Sequence, residues 1–91
     1  MHLMHLAKAQ LAAGDPAAAA TLERATAGAR QAGDERLLTQ TRVTRAQLLL
    51  AAGRRDAARE LLVAADRWYT ANGSGEGADL ATELLVSAQP V

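Results

Sequence analysis

Few side chains in this sequence could do chemistry. His2 and His5 are the only histidines, and their three-residue spacing puts both imidazoles on one helix face, where they could touch a single metal ion. No carboxylate or cysteine stands beside them, and a stable site wants three or four ligands, so the pair reads as incidental to the terminus. Serine occurs at Ser74 and Ser87 alone and cysteine is absent, so no nucleophile, base and orienting group can be assembled. The chain reads as a non-enzyme with no cofactor. The glycine-rich "NGSGEG" at 72–77 follows a helical run and has no lysine after it, so it lacks the wiring of a phosphate-binding loop and reads as a connection.

Arg36, Arg42 and Arg45, with Arg54 and Arg55, make one stretch locally basic, yet the whole chain balances ten basic against ten acidic residues. Without a sustained basic field or stacking aromatics, direct nucleic-acid binding is not expected; solvated surface and intramolecular pairing are, with contact to an acidic partner as the alternative. Trp68 and Tyr69 are the only aromatics and continue an apolar stripe. They are expected to pack near Leu80 and Leu84, and would form a ligand shelf only if left exposed.

The elements that must position these residues are helices. Of the 45 hydrophobic residues 23 are alanine and 14 leucine, the two leading helix formers, while phenylalanine and isoleucine are absent. The opening segment has no charged leader, and no stretch approaches the roughly 20 apolar residues that span a bilayer, so a cytoplasmic chain with no membrane contact is expected. Reading outward from Gly14, Gly33, Gly53 and the 72–77 stretch predicts helices near 3–13, 16–32, 35–52, 55–71 and 79–88. Pro16 falls in the first turn of the second, Asp34 is placed to cap the third, and Asp56 favours the start of the fourth. Gly28 weakens the second helix unless close packing needs the space. On the fourth, Ala57, Ala58, Leu61, Leu62, Ala64, Ala65, Trp68 and Tyr69 form one apolar face, opposite Arg59, Glu60, Asp66 and Arg67.

Superposing Gly14 on Gly53 aligns residues 7–34 with 46–73 at an offset of 39. Alanine matches are cheap in such a chain; the weight lies in Leu11 with Leu50, Leu22 with Leu61, and the hairpin boundaries aligning together. A helix-pair period of this length is the signature of an α-solenoid. The small Ala46, the turn at Gly53 and the run Ala58-Arg59, Leu61-Leu62, Ala65 resemble a tetratricopeptide-type repeat, and more narrowly the MalT-like repeats of large bacterial signal-transduction regulators. Residues 14–34 match loosely and 79–91 open a further repeat. Arg42 and Arg45 stand where the pattern has large apolar residues, and Glu23 and Thr26 replace the apolar and small residues of the earlier repeat. A pairing of Arg45 with Glu60 across the hairpin is the expected compensation.

The expected architecture is therefore all-α: one α-α superhelix of TPR-like hairpins over 1–91, with hairpins at 2–34 and 35–73 and a partial repeat at 78–91. That is about two and a third units where about three are usually needed, so the chain reads as a piece of a longer array or as one that completes its core as a homo-oligomer. Leu80, Leu84 and Leu85 should dock the closing helix near Trp68. The resemblance implies a non-catalytic protein-interaction module of a larger transcriptional or signalling regulator; a self-associating structural bundle is the alternative. It also implies a concave groove lined by Met4, Lys8 and Leu11 of the first helix and Gln40, Val43, Gln47 and Leu50 of the third. Val43 and Met4 occupy places that a basic and amide carboxylate clamp would need, so the resemblance implies a protein or peptide partner, or a neighbouring domain, held mainly by apolar contact.

Overall fold

Glycine ends the helices where the sequence places it. In the computed structural model, which describes residues 2–73, 75 and 77–89, five helices follow one another: α1 Leu3–Ala12, α2 Ala18–Ala32, α3 Glu35–Ala51, α4 Arg55–Asn72 and α5 Ala78–Ala88. Ser74, and the ends of the expected partial repeat at Pro90 and Val91, lie outside the described residues. At Gly53 φ is 77°, a left-handed conformation that strains any residue with a Cβ, and the Arg54 N–H turns back to donate to Leu49 O at 2.8 Å. The same closure recurs past Gly14 and Gly33, where Asp15 N–H donates to Gln10 O and Asp34 N–H to Ala29 O.

Helix starts follow the acidic residues. Asp34 accepts the Leu37 N–H at 2.9 Å and caps α3, and Asp56 lies in the first turn of α4. The regular part of α2 begins at Ala18, two residues later than expected. Pro16 sits in the turn ahead of it, where Asp15 Oδ1 accepts the Ala17 N–H at 2.9 Å.

Each helix packs on its successor, and the odd-numbered helices also touch, α1 with α3 and α3 with α5; α2 and α4 do not meet among the described residues. The odd helices thus draw together on one side while the even ones splay on the other, which is the curvature of an α-α superhelix. The Cα envelope of 37 × 30 × 17 Å is thin in one direction, as two layers of helices require.

Burial is two-sided on α3. Val43, Ala46 and Leu50 join the core shared with α4 and α5, and Thr39 completes their four-, three- and four-residue steps. Leu37 and Leu48 pack instead on the first hairpin's core of Met4, Ala7, Leu22 and Ala25. Between them on the same stripe lie Thr41 and Thr44, both buried. The contact face of α4 is as expected at Ala58, Leu62, Ala65 and Tyr69; Ala64, placed on that face from sequence, is exposed at its margin. On α5 the leucines are half-buried against the Trp68 cluster, and the tightest contacts are made by Ala81 and Ala88.

Arg45 does not pair with Glu60. Its Nη1 lies 2.6 Å from Glu23 Oε1 and its Nη2 donates to Thr26 Oγ1 at 3.3 Å. Three residues that depart from the repeat pattern on two helices therefore answer one another. The α2–α3 contact, which joins one hairpin to the next, reaches Arg45 where Glu60 does not.

Candidate partner-binding groove

The odd-helix side carries the candidate site. A cleft of about 240 Å³ opens between α1 and α3, lined by His2, Met4, His5, Lys8, Leu37 and Gln40. Its base is apolar, Met4 with 2% of its surface exposed and Leu37 half-buried; Lys8 and Gln40 are half-buried and the histidines exposed. Such a base has the size and polarity to take an aliphatic or aromatic side chain, and its rim is polar, with Lys8, the Gln40 amide and two imidazoles. The flexible thioether of Met4 adapts to differently shaped insertions. No acidic residue occurs in α1, so nothing on that wall repels an anionic group.

Of the seven residues expected to line the groove, the structure gathers Met4, Lys8 and Gln40 in this cleft. Leu50 faces a separate open depression with Gly53, Arg54, Arg55 and Glu60, closed on one side by Ser87 of α5. Leu11 and Gln47 are half-buried and belong to neither. Val43 is 2% exposed and forms part of the core rather than a groove wall. Position on a helix face sets direction, whereas depth depends on how closely the neighbouring helix approaches, and that distance is tertiary.

His2, His5 and Leu37 were missing from the expected set. His2, His5 and Lys8 form a three-step row along α1, a signal that was present but invited a metal reading. The imidazole centroids are 5.7 Å apart, and His2 Nδ1 accepts the Met4 N–H at 3.1 Å, so His2 serves as the N-cap of α1. Leu37 precedes Gln40 by three residues and reads as plain core.

Trp68 does not offer a free aromatic shelf. Its ring meets Tyr69 edge-on, with centroids 5.6 Å apart, and the Arg36 guanidinium carbon lies 4.8 Å from its centroid. Arg36 Nη2 also donates to Asn72 O at 3.4 Å, placing a cation at the carbonyl end of α4. One of the arginines expected to be solvated or paired within the chain thus links, at the surface, the start of α3 to the end of α4.

No helix is long and apolar enough to cross a membrane, among the described residues. Comparison with protein-family models, with curated proteins and with solved structures returns no match to this chain.

Proposed function

We propose that this chain is a non-catalytic interaction module of helical repeats that holds an extended or helical segment of a protein partner along its odd-helix side. One observation carries the reading: α1 and α3 meet around a cleft with an apolar base and a polar rim, on the side where the odd helices draw together. Side chains of an extended segment would enter the cleft while Lys8, Gln40 and Gln47 anchor its polar groups. The resemblance to MalT-like repeats extends the proposal to a part played within a larger cytoplasmic regulator, where the partner is a peptide or a neighbouring domain. A self-associating bundle is less well supported, because Val86 is the one large hydrophobic residue among those described that is strongly exposed. A stable self-association wants a wider apolar patch.

The test uses a displayed peptide library selected on the immobilised protein. Charging Val43 would place a carboxylate in the core and confound binding with unfolding, so the informative variant is Gln40→Glu with Gln47→Glu, both half-buried. Selected peptides should lose about tenfold or more in affinity for that variant, and little for Arg59→Ala with Arg67→Ala on the exposed side of α4. Failure to enrich any peptide, or loss on the α4 variant instead, overturns the assignment. A molecular mass that rises with concentration would favour the bundle.

A further inference from the structure

We infer that the first hairpin, α1 with α2, opens from the rest of the chain as a unit, before α3, α4 and α5 come apart. The two halves are unequally built. The first core has four buried members, of which only Met4 and Leu22 are larger than alanine. The second includes Val43, Leu62 and Tyr69, backed by Trp68 and the leucines of α5. The first hairpin also carries local weaknesses: Gly28 within α2, and Gln10 Oε1, closed off from solvent with no hydrogen-bond partner among the described residues.

The seam between the halves is polar where it could have been apolar. Thr41 and Thr44 occupy the middle of the α3 stripe between Leu37 and Leu48, and Thr21 and Thr26 are buried on α2. The hydroxyls of Thr26, Thr41 and Thr44 donate to Leu22 O, Leu38 O and Gln40 O within their own helices. Parting α2 from α3 therefore leaves those hydroxyls paired. The Arg45–Glu23 link across the seam is solvated, with side-chain exposures of 33% and 65%, and an ion pair so placed holds weakly. Beside it the seam is incompletely filled, with a cleft of about 230 Å³ bordered by Leu22, Leu48 and Leu49. Small side chains, self-satisfied hydroxyls and an edge left open to solvent make this contact the one that yields first.

The opening is a property of the fold and does not depend on the groove being a binding site. Its consequence for the groove is that one wall, α1, is present only in the closed state. A partner seated there would order the first hairpin as it binds.

Native-state hydrogen exchange on the full chain tests the inference. The best-protected amides of α1 and α2 should exchange about tenfold or more faster than those of α4. Leu22→Ala, at a site 1% exposed, should speed α1 and α2 by about a further tenfold or more while α4 and α5 stay within about twofold of the unaltered chain. The milder Arg45→Ala should speed α2 by about two- to fivefold and leave α4 unchanged. One common protection factor across α1 to α4 would overturn the inference. So would a Leu22→Ala chain that loses α4 and α5 together with α2.

Discussion

Replacing Ala58 with leucine should destabilise the protein by about 1–3 kcal/mol. Ala58 is fully buried on α4, in the core shared with Val43 and Ala46 of α3, and it is followed at helical steps by Leu62 and Ala65, also fully buried. Leucine adds three carbons where the neighbouring surface is already in contact, so α4 must back away from α3 or the new side chain must leave its preferred rotamer. Either response acts on the larger of the two cores. In a domain of this size each 1 kcal/mol moves the melting temperature by about 4–8 °C, so thermal unfolding followed by circular dichroism should show a fall of about 4 to 24 °C. Ala64→Leu is the matched control: it makes the same chemical change on the same helix at an exposed position, and should move stability by no more than about 0.5 kcal/mol. Equal melting temperatures for Ala58→Leu and the unaltered chain would refute the close contact of α3 with α4, and a larger fall in the control would mean that α4 is rotated from the face described.

Gly28→Ala should stabilise by up to about 1 kcal/mol, because a Cβ there meets nothing within 4 Å and the helix gains a better former; an unchanged or lower melting temperature would show that the glycine is needed. Arg36→Ala should uncover the indole of Trp68, red-shift its emission and cost about 0.5–1 kcal/mol; emission indistinguishable from that of the unaltered chain would mean that the guanidinium does not cover the ring.

The groove was legible in part. Lys8 and Gln40 could be placed from sequence because a three- or four-residue step along α1 and α3 fixes which side chains share a face, and the repeat offset transfers that face from one hairpin to the other. Val43 shares the same face and yet belongs to the core. Helical spacing gives an angle around one axis; whether the side chain at that angle is covered depends on how deeply α4 settles against α3. The histidines were set aside as incidental to the terminus, because two imidazoles at this spacing make too few ligands for a metal and no local pattern shows that the start of α1 lies against α3.

What the sequence determined by itself is local. Glycine's freedom at positive φ ends the first three helices, Asp34 caps α3 through an N–H three residues on, and an alanine–leucine alphabet at helical steps fills the intervals; each of these acts within a turn or two of chain. What the tertiary structure alone decided are the relations between helices. Arg45 finds Glu23 and Thr26 rather than Glu60, Arg36 fastens the far end of α4, and Thr41 and Thr44 become the middle of a seam. Those pairings join residues on different helices, and they depend on how one helix crosses the next, a geometry that no local pattern encodes because it is set by the summed packing of small side chains on both.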